Sequence, residues 1–212
     1  MADEAKQVRA FVKRKISWLT GSGNESAAKA TLAKLRRGIS KTPGSMPELW
    51  EATLKDLPQE LIGKGQDPSY GEWAVHTALT LFALHQQGKD LKLQCMNKDG
   101  EFLGISLRKL VSDDEEEKRI KRRFDAASTS SSMEEFSHHL RGLIQLLKAK
   151  SIPLDYPVLA EDLYWLQLPN VRDSVRLRWG RDFYRPLKSD ETNSENEKTG
   201  KDEENNGSHD ER

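Results

Sequence analysis

Apolar residues recur at intervals of three and four along most of this chain, and no other feature constrains its fold as strongly. The pattern begins with a stripe formed by Val8, Phe11, Val12, Ile16 and Leu19. This spacing places side chains on one face of an α-helix. It recurs over residues 24–37, from Ser45 onwards, and over 73–84, 112–127, 132–150, 155–168 and 171–184. The sequence therefore predicts an all-α fold.

The helix starts carry capping signals. A serine followed three residues later by glutamate can form a capping box, in which each side chain binds a free backbone N–H. Such pairs predict helix starts at Ser45 with Glu48, Ser112 with Glu115 and Ser132 with Glu135. Asp155, with Pro157 in the first turn, predicts another start. Residues 73–84 are apolar nearly all round, which predicts a central, buried helix.

The least helical segment, residues 89–105, predicts a boundary between two packed small helical halves. Leu91, Leu93 and Cys95 alternate with polar residues, and a turn cluster follows at 97–100. A short hairpin and an irregular linker both fit this pattern. We expect an N-terminal helical half at 1–88, the linker or hairpin at 89–105, and a C-terminal helical half at 106–188.

The formal net charge of zero conceals a strong asymmetry. Residues 189–212 lack any of AVILMFWYC and hold nine acidic side chains against three basic ones, a net charge of −6. The preceding residues hold 31 basic and 25 acidic side chains, a net charge of +6. A segment with nothing to bury cannot offset its ordering entropy, so we expect residues 189–212 to be a disordered acidic tail. A basic body with an acidic tail is typical of a protein that meets a polyanion, although a solvated surface with an incidental tail also fits.

Catalytic and cofactor motifs are absent from the sequence. It holds no phosphate-binding loop, dinucleotide fingerprint, zinc-protease motif or nucleophile elbow. Cys95 is the only cysteine, and the adjacent His138 and His139 would point about 100° apart on a helix. Asp155 is better explained as a helix cap, and Asp162 as an exposed helix acid, than as ligands of a nuclease metal. We expect no enzyme activity, no cofactor and no metal.

Localisation follows from equally simple features. The longest apolar run is too short to span a bilayer, and no signal peptide is visible at the start of the sequence. We expect a cytoplasmic protein with no membrane partner.

Basic residues cluster on particular faces of the predicted helices. In the helix over 112–127, the cations lie on the side opposite the apolar face. In the next helix, two cations seven residues apart lie on the same flank. Two more lie at the end of the helix over 24–37. These observations predict a nucleic-acid-binding set of Arg36, Arg37, Lys118, Arg119, Arg122, Arg123, Arg141 and Lys148. Each cluster has an alternative explanation, since cations suit a helix C-terminus, and acids at 113–117 could neutralise Lys118 to Arg123 by pairs along the helix.

The last predicted helix combines an apolar seam with many arginines. Val175, Trp179 and Phe183 recur at intervals of four, and five arginines lie between 172 and 185. Such a helix could bind RNA or a protein partner. A core helix with salt bridges from Asp173 and Asp182 explains the pattern equally well.

An ordered set of short motifs carries a family resemblance. The set is Leu35–Gly38, Gly104–Leu107, Arg122–Phe124, His139–Lys148, Leu154–Pro157, Asp162–Trp165 and Trp179–Arg185. Over roughly residues 9–185 the chain resembles the small subunit (CasB family) of the type I-E CRISPR Cascade complex. No single motif is specific, but the ordered set is, and the acidic tail lies outside it.

The resemblance implies a role and partners. It implies a non-catalytic subunit that pairs with a second copy of itself, joins the other Cas subunits of Cascade around a crRNA, and supports the target DNA and the displaced single strand of an R-loop. It further implies that Arg36, Arg37, Arg122, Arg123, Arg141 and Lys148 contact phosphates. Two alternatives remain open at this point: a helical protein-binding scaffold without nucleic-acid contact, and a metal-dependent nuclease.

Overall fold

The computed structural model describes residues 1–186, and the regular elements in that range are helical. They are α1 (Ala2–Gly21), α2 (Glu25–Arg37), α3 (Trp50–Thr53), α4 (Tyr70–His85), α5 (Leu103–Arg108), α6 (Asp114–Ser128), α7 (Met133–Lys150), α8 (Tyr156–Leu166) and α9 (Pro169–Phe183). Short 3-10 turns occur at Pro47–Leu49 and Gln59–Leu61. Over the same range the strand geometry amounts to one isolated bridge between Asn97 and Leu154. The all-α prediction is confirmed.

Helix α4 is the centre of the core. Every residue from Ala74 to His85 is buried, as its nearly all-round apolar sequence predicts. Helices α1, α2, α7 and α8 pack around it, and α8 also lies along α1. Outside this group, α6 packs on α7, and α9 packs on α5 and α8. The central buried helix is therefore confirmed, and the elements that surround it position the surface cations.

Two of the four predicted helix starts, Ser132 and Asp155, are confirmed; at the first, the Glu135 carboxylate accepts from the Ser131 N–H at 2.8 Å and not from that of Ser132. The Ser132 hydroxyl accepts from the Glu135 backbone N–H at 3.2 Å, and the Asp155 carboxylate accepts from the Val158 N–H at 3.0 Å. At α6 the cap lies one residue later than predicted. Asp113 accepts from the Glu116 N–H at 2.8 Å, and the Ser112 hydroxyl donates to the Glu116 carboxylate instead of capping the helix.

The helix predicted from Ser45 is wrong in extent. The Ser45 hydroxyl donates to the Thr42 carbonyl at 2.7 Å, and Glu48 forms an ion pair with Arg37 at 2.6 Å. Neither side chain is then available for a capping box. The segment contains only a 3-10 turn followed by the single turn of α3.

Between the segments expected to form two halves, the chain is irregular and forms no hairpin over residues 89–102. The buried Gln86 organises it, since its amide nitrogen donates to the carbonyls of Lys89, Asp90 and Gln94, and its amide oxygen accepts from the Met96 N–H at 2.8 Å. Three further backbone hydrogen bonds join the segment to residues 154 and 155 instead of to a facing strand. Of the two predicted alternatives, the irregular linker is the one that the structure shows.

The core is continuous across the predicted boundary. One cluster of buried apolar side chains runs from Ala5 to Phe183 and includes residues of all the long helices. The division at 88 and 105 therefore stays a prediction about folding units, and α5 already begins at Leu103. The acidic tail at 189–212 lies outside the described residues.

The carboxylate of Asp162 on α8 is buried and binds two residues of α9, which corrects the prediction that it is exposed. Asp162 is only 4% exposed, not an exposed helix acid. It accepts from the buried Trp179 indole N–H at 2.6 Å and pairs with Arg178. Beside this contact, α5 approaches so closely that a Cβ on Gly104 would lie 2.4 Å from the Trp179 carbonyl oxygen. Asp162 is therefore enclosed by protein groups and serves the packing of α9.

Candidate nucleic-acid interface

Three cations from three separate elements meet at the ends of α2, α4 and α7. Arg36 lies in the last turn of α2, Lys148 in the last turn of α7, and Lys89 just after α4. The ammonium of Lys148 donates to the Gln87 amide oxygen at 2.9 Å, and that of Lys89 to the Ser151 hydroxyl at 2.6 Å. Within residues 1–186, none of the three forms an ion pair with a carboxylate. We call these three residues the Lys148 cluster.

The members of the Lys148 cluster repel one another. Partial burial lowers the pKa of Lys148 from its ordinary value, and the positive charges of Arg36 and Lys89 lower it further. The three cations lie at or near helix C-termini, whose partial negative charge stabilises them. An anion still binds such a group favourably, because it removes the repulsion that remains. The cluster is therefore suited to a phosphate group.

His85 lies beneath the Lys148 cluster and is fully buried. Burial, together with the charges of Lys89 and Lys148, lowers its pKa to about 4. Its Nδ1 is 3.0 Å from the Tyr156 hydroxyl, which donates to the Leu81 carbonyl; we therefore assign the proton to Nδ1. His85 is neutral at physiological pH and adds no charge to the cluster.

Arg141 extends the Lys148 cluster along α7. It is exposed and has no ion pair within the described residues. It precedes Lys148 by seven residues, which places it on the same flank about 10 Å along the helix axis.

The predicted cations of α6 divide into two kinds. Lys118 pairs with Glu115 at 2.7 Å and Arg119 with Glu116 at 2.8 Å, one turn back along the helix. Arg122 and Arg123 are exposed, and neither pairs with a carboxylate of residues 1–186. Lys118, Arg119 and Arg122 line a shallow depression that the last residue of α7, Lys150, also borders. The acids at 113–117 thus neutralise only the first turn of the α6 basic face.

Of the eight predicted cations, three are held in ion pairs: Arg37, by Glu48, and the Lys118 and Arg119 just described. Arg36 and Lys148 were predicted on separate helices, and the structure brings them together. Lys89 was missed. It follows a glycine in an irregular segment, so no periodicity marks it, and only the tertiary packing places it beside the other two.

Comparison with known proteins identifies the family. The sequence profile described as CRISPR-associated protein Cse2 matches residues 31–184, which is well over half of the chain. The chain belongs to the Cse2 (CasB) family. The resemblance to the small subunit of the type I-E CRISPR Cascade complex is therefore confirmed.

Solved structures agree with this assignment. The crystal structure of CasB from Thermobifida fusca is 32% identical, with a TM-score of 0.71, and the match covers 84% of this chain and 98% of that one. The crystal structure of M. ruber CasB is 21% identical with a TM-score of 0.58, covering 91% of this chain and 97% of that one, and shows the fold alone. The comparison with curated proteins returns no match.

The arginines of α9 in this Cse2 family member are mostly engaged by protein groups. Arg176 pairs with Asp173 at 3.1 Å, Arg185 lies 4.0 Å from Asp182, and Arg178 pairs with Asp162. The Arg172 Nε donates to the Leu166 carbonyl at 2.7 Å. These contacts favour the salt-bridged core helix over an RNA-binding helix.

Two further findings concern ligand and membrane chemistry. In the part of the chain that the structure describes, no group of three or more His, Cys, Asp or Glu side chains is close enough to hold a metal ion. Over those same residues, each helix is too short or too polar to cross a bilayer.

Proposed function

We propose that this Cse2 family member is a non-catalytic, cytoplasmic subunit of Cascade that holds sugar-phosphate backbone without reading bases. In this role it supports the target strand and the displaced strand of the R-loop, beside the crRNA and with a second copy of itself. The observation that carries the proposal is the Lys148 cluster, in which Arg36, Lys89 and Lys148 come from distant parts of the sequence and lack an acidic partner within residues 1–186.

The physical basis is charge neutralisation. R-loop formation exchanges a DNA duplex for a heteroduplex of similar stability, so modest contacts to the backbone can tip the balance. Cations on the ends of packed helices can contact phosphates of any sequence, because every nucleotide carries the same phosphate. Stabilisation of the R-loop therefore needs no catalytic group and no base-specific contact.

The candidate contacts can be ranked by their existing partners. Arg36, Lys89, Arg141 and Lys148 form one surface, and Arg122 and Arg123 form a second on α6. Arg37, Lys118 and Arg119 would first have to leave their carboxylates. Loss of such an exposed pair costs up to about 1 kcal/mol, which offsets the roughly 0.5 kcal/mol that a phosphate contact would add, so we assign these three cations a secondary role.

The test compares two triple variants in assembled Cascade. The first, Arg36→Gln with Lys89→Gln and Lys148→Gln, removes the Lys148 cluster. The matched control, Arg37→Gln with Lys118→Gln and Arg119→Gln, removes the same charge from cations that have carboxylate partners. The readout is R-loop lifetime on a matched target at fixed salt.

We expect the first variant to shorten the R-loop lifetime about tenfold. This follows from about 0.5 kcal/mol for each exposed charge contact, since 1.4 kcal/mol corresponds to tenfold. The control should change the lifetime by less than threefold. An unchanged lifetime in the first variant, with the subunit still present in the complex, would contradict the proposal and leave a protein-scaffold role.

A further inference from the structure

The chain leaves the described structure beside the basic face of α6. The Phe183 ring at the end of α9 packs 5.8 Å from the Phe124 ring of α6. The next side chain, Tyr184, is exposed. The hydrogen bond with Asp125 has the largest effect in raising the pKa of the Lys121 ammonium, and Tyr184 lies close enough to help raise it. Residues 187–212 therefore begin next to the helix that carries Arg122 and Arg123.

The charges of these two parts of the chain are complementary. Residues 189–212 carry a net charge of −6 and no residue from AVILMFWYC. Arg122 and Arg123, which directly precede Phe124, are exposed and unpaired within residues 1–186. By contrast, Lys118, Arg119 and Lys121 already have acidic partners, so the free positive charge of α6 lies on Arg122 and Arg123.

The length of chain is sufficient for contact. A chain as long as residues 187–212 can extend roughly 90 Å at full stretch, and a random chain of that length has a root-mean-square span of about 28 Å. A folded body of this size has a radius of gyration of about 16 Å. A tethered segment of this length is present at an effective concentration of order millimolar beside its own attachment point.

We propose that the acidic segment 189–212 binds the basic face of α6 around Arg122 and Arg123 and competes there with nucleic-acid phosphate. The inference rests on the proposed function for its consequence, although the intramolecular contact can be measured without nucleic acid. The contact screens the surface against weak, non-specific polyanions, and a strand held in place by the rest of the complex displaces the acidic segment. The Lys148 cluster remains available, because the competition is localised on α6.

The first experiment measures the contact directly in the full chain. A zero-length carbodiimide reagent joins carboxylates to amines in ion pairs, and mass spectrometry locates the links. We expect intramolecular links from residues 190–211 to concentrate on Lys118 and Lys121, to fall with rising salt, and to fall when a single-stranded oligonucleotide of thymidine is added. Links spread evenly over the lysines of the chain would overturn the inference.

The second experiment measures the competition. In the full chain, the nine acids of the segment are changed to Asn or Gln, and a control variant keeps the composition of residues 189–212 in scrambled order. At about 50 mM salt we expect the neutralised variant to bind the thymidine oligonucleotide about three- to tenfold more tightly than the natural chain, with the difference lost near 500 mM salt. The scrambled control should bind like the natural chain, because the interaction depends on charge.

Two outcomes separate this inference from the proposed function. Equal binding by the natural and neutralised chains, both of them measurable, overturns the inference and leaves the proposed function intact. Absence of binding by both chains, together with links concentrated on Lys118 and Lys121, refutes the proposed function and leaves the intramolecular contact. Adding Arg122→Gln and Arg123→Gln should reduce the effect of tail neutralisation to less than twofold; an undiminished effect would place the contact elsewhere and overturn the inference.

Discussion

Substitution of the buried Asp162 by asparagine should change how the stability of the fold depends on pH. Burial raises the pKa of Asp162 to about 6, against an ordinary value of 3.8, despite the opposing effects of Arg178 and the Trp179 indole. A carboxyl group whose pKa is higher in the folded state stabilises the fold below its unfolded pKa. That stabilisation is lost as the pH rises through the folded value.

The magnitude follows from the two pKa values. The difference between 3.8 and about 6 corresponds to about 3 kcal/mol, because each pKa unit represents 1.36 kcal/mol. Asparagine has the same shape, stays neutral and can still accept the Trp179 N–H. We therefore expect Asp162→Asn to match the natural chain near pH 4 and to be more stable than it above pH 6, by up to about 3 kcal/mol. The Arg178 side chain is 50% exposed, so its charge stays solvated when its partner becomes neutral.

The assay is urea unfolding at pH 4, 5, 6 and 7.5, followed by circular dichroism and tryptophan fluorescence. Equal m-values for the two proteins would show that the comparison concerns the folded state. The matched control is Asp173→Asn on α9, since the Asp173 side chain is 89% exposed and its pair with Arg176 adds little. A difference between Asp162→Asn and the natural chain that stays constant from pH 4 to 7.5 would refute the reasoning.

Three other substitutions test the packing of helix glycines and the effect of burying His85. Gly104→Ala should destabilise the fold by about 1–3 kcal/mol, because its Cβ would lie 2.4 Å from the Trp179 carbonyl; Gly142→Ala in α7, with nothing within 4 Å, should stabilise it by about 0.5–1 kcal/mol. His85→Gln should remove the contribution of His85, which on its own lowers stability as the pH falls from 6.5 towards 4, since the folded pKa of His85 is about 4. Thermal and urea unfolding measure both effects; equal stabilities of the two alanine variants, or an unchanged pH slope for His85→Gln, would contradict them.

The contributions of Asp162 and His85 oppose each other over the same pH range. Between pH 4 and 6 the raised pKa of Asp162 makes the fold less stable as pH rises, and the lowered pKa of His85 makes it more stable. The natural chain should consequently show little net slope from these two groups. Each single variant should expose the slope of the other group.

Local sequence signals predicted the features that depend on neighbouring residues. The apolar composition of 73–84 predicted the buried helix α4, and Asp155 predicted the start of α8, because a helix period and a cap involve residues within a few positions. The short helix after Ser45 was mispredicted because Glu48 binds Arg37, a contact between elements that no local pattern encodes.

Features that depend on tertiary packing could not be predicted from the sequence. The burial of Asp162 depends on Trp179 of the next helix, which lies over it. The sequence of α8 is the same whether or not α9 covers it, so it does not reveal that Asp162 is buried. Likewise, the cations at 36, 89 and 148 are far apart in the chain and meet only when α2 and α7 pack against α4. The sequence identifies the candidate cations. Which of them pair with carboxylates and which do not is decided by the folded structure.

The most direct test of the central claim is the salt dependence of binding to single-stranded DNA. The logarithm of the binding constant should fall with the logarithm of salt concentration by about 0.7 for each phosphate neutralised. Removing Arg36, Lys89 and Lys148 together as glutamines should therefore make the slope about 2 shallower, whereas the control at Arg37, Lys118 and Arg119 should change it by less than 1. Equal slopes for the natural chain and the Lys148-cluster variant would contradict the claim that these cations hold the backbone.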